Sequence, residues 1–167
     1  ITFDSDAIEV WRPFARKVLD GAIPNTPEVW DNKPPFFQAL DIIAEFTGHY
    51  YIVMIAFVAS ANAIIAYIIY RIWVEEEGKH LALLAGVLFL SALSYIGNNI
   101  QPRTFAILFI LLAIFWRGFG GFARGTLTAT GALFSQHVIF AAPLILWIVI
   151  QKSERNLWPK MAQFTLG

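Results

Sequence analysis

Residues 50–72 read YYIVMIAFVASANAIIAYIIYRI and decide the fold class. The run carries no charge before Arg71, and about 20 apolar residues are what a helix needs to cross the hydrocarbon core of a bilayer. Tyr50 and Tyr70 stand near its two ends, as in the aromatic belts of membrane interfaces. The sequence therefore predicts a transmembrane helix over residues 50–72.

Four further apolar runs follow, over residues 81–97, 104–116, 118–134 and 138–150. The last two could instead be one long helix over residues 126–150. Two short passes that turn at Ser135-Gln136-His137 put three basic groups on one side, which the positive-inside rule assigns to the cytoplasm. These groups are Arg71 with Lys79, Arg117 with Arg124, and Lys152, Arg155 and Lys160 in the tail. We therefore prefer two passes and predict an all-α, polytopic helical bundle with four or five membrane passes.

Composition supports a membrane class. Hydrophobic residues make up 57% of the 167 residues and charged residues 14%, whereas soluble domains have about 45–50% and 25%. The net charge is zero, so no overall field attracts nucleic acid, and we expect no nucleic-acid partner. The chain has no cysteine, which excludes disulfides and thiolate metal sites.

The two ends of the chain influence the interpretation. It begins at Ile1 without a methionine and stops at Gly167, soon after a basic stretch. We interpret it as an internal piece of a longer membrane protein, and we expect this piece to be inactive by itself.

Residues 1–48 form the polar part, and residues 49–167 are predicted to hold the transmembrane helices and a cytoplasmic basic tail. We expect residues 1–48 to be an extracytoplasmic loop with short amphipathic helices. The first helix is predicted over residues 7–19, with Asp6 as its N-cap and Gly21 as its end. A second is predicted over residues 36–46, after Pro34 and Pro35.

The first of these helices has an apolar face that includes Trp11 and Ala15. That face could lie in the membrane interface, with Trp11 at the level of the lipid headgroups. Pro13 should kink this helix or restart it, because proline lacks the N–H that a helix interior needs.

Three short stretches in this part of the chain resemble a known family. They are residues 4–7 (DSDA), 15–21 (ARKVLDG) and 32–37 (NKPPFF). The arrangement resembles the start of a GT-C fold membrane glycosyltransferase of the protein O-mannosyltransferase and aminoarabinose transferase group. It corresponds to the N-terminal part of a GT-C module that lacks its first helix and its C-terminal part.

The resemblance implies sugar transfer from a polyprenyl-phosphate donor to a protein, lipid or glycan acceptor, on the extracytoplasmic face of the membrane. It implies that an aspartate of the external loop is the general base. Asp6 is the best match to that aspartate, and Asp4 is the competitor. A carboxylate suits the role because it can accept the acceptor's hydroxyl proton. Asp6 could also be only a helix cap.

Positive charge is needed to stabilise the leaving phosphate. The resemblance implies that Lys33 matches a lysine that contacts the carrier phosphate. Lys33 could instead be an interfacial lysine beside prolines. Arg103, in the turn over residues 98–103, could contact phosphate or sugar, or be an ordinary loop arginine. Relatives carry a lysine or a polar pair where this chain has Gln136 and His137, so these two residues are further candidates for the phosphate site.

Two questions stay open at this point. Some relatives need a divalent metal, and Asp4 and Asp6 could share one ion with a phosphate. The alternative function is a non-enzymatic polytopic membrane protein, either a transporter or a scaffold. Transporters place polar groups near the membrane midplane on broken helices, whereas here the ionisable residues gather in one external segment.

Overall fold

The computed structural model describes residues 7–24, 26, 27, 29, 33–96, 100–115, 120–136, 140, 142–151, 162, 165 and 166. Within these residues the fold consists of seven α-helices after a π-helical turn, and no strand is formed. The π turn is Ala7–Trp11, and the helices are α1 (Arg12–Leu19), α2 (Pro35–Phe46), α3 (Tyr50–Glu76), α4 (Lys79–Ile96), α5 (Pro102–Phe115), α6 (Gly121–Phe134) and α7 (Ala142–Gln151). The predicted all-α class is confirmed.

The π turn and α1 meet next to Pro13. The backbone changes from π to α at Arg12, because proline fits the first turn of a helix but not its interior. Gly21 ends α1 with a φ of 98°. Its N–H donates to the Val18 carbonyl at 3.0 Å, and the N–H of Ala22 donates to the Lys17 carbonyl at 2.9 Å. This pair of bonds is a Schellman motif, so Gly21 ends the helix as predicted.

The apolar face of the π turn and α1 is buried by protein at its centre, whereas Ile8 and Leu19 at its two ends are exposed. Trp11 is 1% exposed and Ala15 is fully buried, and α1 packs against α2. The expectation that this face contacts the membrane interface is wrong at Trp11, because protein of the same chain covers its ring, whereas the depth of Trp11 in a membrane stays a prediction. The helical periodicity of the sequence indicated that this face is buried, but it did not indicate whether protein or lipid buries it.

α2 begins at Pro35, the second residue of the Pro34-Pro35 step. Pro34 is extended (φ −62°, ψ 153°), as expected for a residue that precedes a proline, and Pro35 takes the first helical position, where proline is favoured. Residues 47–49 alone separate α2 from α3, and Gly48 turns the chain with a φ of 74°. The short link holds the end of α2 beside the start of α3.

α3 is longer than predicted. The sequence predicted its end at residue 72, but the helix continues through Glu75 and Glu76 and stops only where Gly78 adopts a φ of 87°. Among the described residues, one helix is long and apolar enough to cross a membrane, namely Tyr50–Val74, with a mean hydropathy of 2.4. Helical residues 79–91 and 102–115 are apolar but shorter, so multiple passes stay a prediction.

α4 packs along α3 through small residues. A Cβ placed on Gly86 would lie 3.6 Å from the carbonyl oxygen of Ala66, and Ala82 is fully buried. Small residues allow two helix backbones to approach this closely. The other side of α4 presents leucines outward, including Leu84 and Leu88.

α5 and α6 run antiparallel, and a buried arginine joins them. The Arg124 guanidinium, near the start of α6, donates to the carbonyls of Ala113 and Ile114 in the last turn of α5. Carbonyls at a helix end lack partners within the helix, and a cation there also interacts favourably with the helix dipole. Arg124 therefore caps α5.

The stretch over residues 126–150 is not one helix. α6 ends at Phe134, Ser135 has extended backbone (φ −154°, ψ 117°), and α7 begins at Ala142. A break at this place is what the two-pass interpretation requires. That both helices cross a membrane stays a prediction.

Replacing Arg124 should destabilise the α5–α6 pair more than replacing an exposed arginine. Arg124→Gln removes hydrogen bonds from a charged donor and leaves carbonyls of α5 without their cap, which should cost about 2 kcal/mol. We expect a lower Tm in detergent, measured by circular dichroism. Arg71→Gln is the matched control, because the exposed Arg71 donates to the Tyr67 hydroxyl at 3.3 Å. Equal Tm values for the two variants would show that Arg124 does not cap α5.

Candidate functional site

An aromatic cluster holds the ends of several helices together. It consists of Trp11, Phe36, Phe37, Phe105, Phe109 and Phe134. These residues come from the π turn, the first turn of α2, the first half of α5 and the last residue of α6. Parts of the chain that are up to 123 residues apart (Trp11 and Phe134) therefore meet in one place.

Phe37 connects the N-terminal segment to the helix pair. It lies edge-on to Trp11 with ring centroids 4.9 Å apart, and its ring is 6.4 Å from that of Phe105. Phe37 is fully buried. Aromatic pairs at such distances contribute about 0.5–1.5 kcal/mol beyond the area that they bury, so this ring contact joins the start of α2 to α5.

Phe134 connects the same place to the end of α6. It stacks on Phe105 at 5.2 Å and on Phe109 at 5.5 Å, and it meets Phe36 in a T-shaped arrangement at 5.7 Å. The end of α6, the first half of α5 and the start of α2 are thus in direct contact.

One of the predicted site residues contacts this aromatic cluster, and two others are close to cluster residues in sequence. Lys33 places its Nζ over the Trp11 ring, 5.6 Å from the centroid. Arg103 lies two residues before Phe105 and is exposed, and Gln136 lies two residues after Phe134 and is also exposed. The structure brings together the three chain segments that carry these residues.

The other predicted site residues are Asp4, Asp6 and His137, which lie outside the described residues. Asp6 directly precedes Ala7, the first residue of the π turn, and His137 directly follows Gln136. In sequence, both therefore adjoin segments that lead to the aromatic cluster. The expected role of Asp6 as a helix cap also concerns a residue outside the described part.

Arg103 lies in a different element from the one expected. The turn was predicted over residues 98–103, but Pro102 is the first residue of α5 and Arg103 the second. Proline at the first helical position explains the earlier start. Arg103 is therefore held by a helix rather than by a loop, at the end of α5 that faces α2.

Trp11 is a residue that sequence reasoning assigned to the wrong surroundings. Its indole Nε1 is buried and has no hydrogen-bond acceptor among the described residues. A buried donor without a partner costs about 1–3 kcal/mol. Its helical spacing to Phe14 and Ala15 indicated a buried face, but that spacing does not distinguish burial by protein from burial by lipid.

A clamp of charged residues fixes α1 on α2. Glu45 accepts hydrogen bonds from Arg12 Nε at 2.9 Å and from Arg16 Nε at 2.5 Å. The Arg12 guanidinium also lies over the ring of Tyr51, 5.0 Å from its centroid. Sequence reasoning missed this clamp because its members are 29 and 33 residues apart.

The charges of the clamp alter the pKa of Glu45. Burial alone would raise the pKa of this carboxyl, but the hydrogen bonds from Arg16 and Arg12 outweigh burial and hold its pKa below the usual value. The hydrogen bond to Glu45 is also the main reason that the pKa of Arg12 is raised. Both groups therefore stay charged over the physiological pH range.

Asp41 and Tyr50 join α2 to α3. The Tyr50 hydroxyl donates to Asp41 Oδ1 at 2.6 Å, and both side chains are buried. Since Asp41 is in the middle of α2 and Tyr50 is the first residue of α3, this bond sets where α2 lies on the bundle. α2 is thus fixed at both its start and its middle.

No metal cluster is evident in the part of the chain that the structure describes. Groups of three or more His, Asp or Glu side chains that could hold an ion do not occur there. The possible divalent metal was expected at Asp4 and Asp6, which lie outside that part, so the metal stays a prediction.

Comparisons with protein-family models, with curated proteins and with solved structures found no match for this chain. What the site can do therefore follows from its residues. A lysine, an arginine and a primary amide at one end of a helical bundle can bind an anionic group such as a phosphate.

The clamp predicts a pH-dependent contribution to stability. Because the pKa of Glu45 is lowered in the folded chain, its stabilising effect should be complete above the usual glutamate pKa and lost as the pH falls through the lowered value. Glu45→Gln should therefore cost about 1 kcal/mol at pH 7, a modest value because Arg12 and Arg16 are partly exposed.

The measurement is the Tm of both proteins in detergent from pH 7 down to pH 3. The difference between wild type and Glu45→Gln should shrink as the pH falls. Glu9→Gln, an exposed glutamate of the π turn, is the control and should show little difference at any pH. A constant difference for Glu45→Gln would mean that its charge does not hold α1 on α2.

Proposed function

We propose that this chain is part of a membrane glycosyltransferase that moves a sugar from a polyprenyl-phosphate donor to a protein, lipid or glycan acceptor. The proposal rests on two supports. One is the resemblance of residues 4–7, 15–21 and 32–37 to the GT-C group. The other is the observation that carries it, namely that the segments bearing Lys33, Arg103 and Gln136 meet at one end of the bundle.

The order of the helices supports a site on one side of the membrane. α2 contacts the first residue of α3, the first turn of α5 and the last residue of α6. The Glu77-Gly78 turn lies at the far end of α3. If α3 spans a bilayer, the site is on one face and this turn is on the other. We place the site on the extracytoplasmic face, because Arg71 and Lys79 flank the turn.

The remaining helices extend this proposal. α4 to α7 would accompany α3 in a multi-pass bundle, with residues 1–48 outside and the basic tail in the cytoplasm. Helices shorter than a full span need shelter by protein at their polar ends. The helical break after Phe134 would then lie on the same face as Lys33.

In the proposed reaction, the acceptor hydroxyl attacks the anomeric carbon of the donor sugar. A carbon–oxygen bond to the acceptor forms while the bond between the anomeric carbon and the phosphate oxygen breaks, which inverts the anomeric centre. Asp6, or Asp4, accepts the hydroxyl proton as general base. The polyprenyl phosphate leaves with the bonding electron pair.

The cations stabilise the leaving phosphate in this scheme. The ring of Trp11 below Lys33 favours a position of the ammonium group next to the aromatic cluster. Arg103, on the first turn of α5, adds a second positive charge, and the amide of Gln136 can donate hydrogen bonds. His137 follows it and completes the candidate set.

One observation favours the alternative function, a transporter or scaffold. Asn62 lies in the middle of α3, within the candidate span, and is 7% exposed. A buried polar residue at that depth is typical of helix association and of transport pathways. The assays below separate the two functions, because a transporter or scaffold consumes no sugar donor.

Replacing the external aspartates should abolish sugar transfer. Loss of a general base lowers the rate by about 100-fold or more, so Asp6→Asn should reduce transfer by at least that factor. The measurement uses membranes that contain the full-length protein and a panel of polyprenyl-phosphate sugars. Asp20→Asn, at the exposed end of α1, is the control and should keep wild-type activity.

The outcomes separate the assignment from the function. If Asp4→Asn alone stops transfer, the base is Asp4 and not Asp6. If wild type consumes no donor of the panel, the glycosyltransferase proposal fails and the transporter or scaffold becomes the working function.

Removing the charge of Lys33 should weaken use of the donor. A lost hydrogen bond to a charged group costs about 1.5–3 kcal/mol, so Lys33→Met should lower kcat/KM for the donor by about 10-fold to 100-fold. Lys33→Arg keeps the charge and should retain more activity. Lys17→Met, on the exposed side of α1, is the matched control. Equal losses for Lys33→Met and Lys17→Met would remove Lys33 from the phosphate site.

A further inference from the structure

α2 exposes a wholly apolar face and buries several polar side chains. Phe36, Ala39, Ile43 and Phe46 are all exposed. Their spacing of three, four and three residues places them along one side of the helix. We call these four residues the outer stripe. It runs the full length of α2 and contains no polar side chain.

The opposite face of α2 carries the polar groups. Gln38 is 5% exposed and Asp41 is fully buried, and the Glu45 side chain is 10% exposed. Asp41 is bonded to Tyr50, and Glu45 is bonded to the two arginines of α1. The inner face of α2 therefore combines these polar groups with the fully buried Phe37 and Ala44, while its outer face is apolar throughout.

Water is an unfavourable neighbour for the outer stripe. Phe46 is 80% exposed and Ile43 is 51% exposed. Single exposed apolar residues are common in soluble proteins, but a contiguous apolar surface marks contact with another molecule or with lipid. The outer stripe therefore needs an occupant.

The position of the outer stripe indicates lipid. Only residues 47–49 separate α2 from α3, and Ile52, in the first turn of α3, is also exposed, to 69%. α3 is the helix that is long enough to span a bilayer, and two-thirds of its apolar window is not buried by protein. An exposed apolar stripe that is joined so closely to a candidate membrane span has acyl chains as its natural neighbour.

We propose that the outer stripe of α2 inserts into the boundary between headgroups and acyl chains of one leaflet. This anchors the start of α2, and with it Lys33, at the depth of lipid phosphates, where the phosphate of a lipid-linked sugar also lies. The inference rests on the membrane location given under the proposed function. It adds that α2 sets the depth of the site by contacting lipid directly, as interfacial helices with one apolar face do.

Residues 1–167 contain no cysteine, so labels can be placed in them singly once any cysteine elsewhere in the full-length protein has been replaced by serine. Spin labels are attached to Ile43→Cys and Phe46→Cys in that protein, reconstituted in vesicles of phosphatidylcholine and phosphatidylglycerol. Collisions with oxygen, which concentrates in lipid, are compared with collisions with a water-soluble nickel chelate. Exposed positions are used, so that the labels do not disturb the core.

Two reference labels calibrate the measurement. Ala63→Cys lies on the exposed side in the middle of α3 and should report deep lipid. Asp20→Cys lies at the exposed end of α1 and should report water. We expect the labels at 43 and 46 to collide more with oxygen than with the chelate, at a depth shallower than that of 63.

Three other outcomes of the labelling experiment would contradict the inference, each in a different way. If 63 reports lipid but 43 and 46 collide mainly with the chelate, the outer stripe faces water and this inference fails alone. If 43 and 46 are shielded from both reagents, protein covers the stripe, either another part of the full-length chain or a second copy, and the inference again fails. If 63 itself reports water, the membrane location fails with it.

Discussion

Phe134 stacks on Phe105 and Phe109 with ring centroids 5.2 and 5.5 Å apart, and it meets Phe36 edge-on at 5.7 Å. These contacts decide where the last residue of α6 lies relative to the start of α2. Lys33 lies three residues before Phe36, and Gln136 lies two residues after Phe134. The contact between these two rings therefore brings the segments of the candidate site together. Phe37 then extends the contact to Trp11, whose ring lies below the ammonium group of Lys33.

The aromatic cluster brings the helix ends together, and hydrogen bonds around it fix the orientation of the N-terminal helices. The bond from Tyr50 to Asp41 sets the position of α2 against α3, and Glu45 holds α1 on α2 through Arg12. Buried hydrogen bonds specify one arrangement more sharply than apolar packing does. The N-terminal helices are thus attached to the bundle at several points, which is what a site built from distant segments requires.

The sequence predicted the helices better than their surroundings. Local rules sufficed where the cause was local: Gly21 ended α1, and the proline pair preceded α2. Two helix boundaries differ from the predicted ones: α5 begins earlier, at Pro102, and α3 ends later, just before Gly78. Contacts over long sequence separations, such as Arg124 with α5 or Glu45 with α1, have no local signature. Trp11 shows the deeper limit, because periodicity marks a buried face without telling protein from lipid.

The central claim is that the segments carrying Lys33 and Gln136 meet at one end of the bundle. The most direct test is cross-linking of the double variant Lys33→Cys/Gln136→Cys with a short bifunctional maleimide in native membranes. The pair Lys33→Cys/Glu77→Cys, whose members adjoin opposite ends of α3, serves as reference. We expect an intramolecular cross-link for the first pair and none for the second. A cross-link between positions 33 and 77, with none between 33 and 136, would contradict the arrangement on which the proposed site depends.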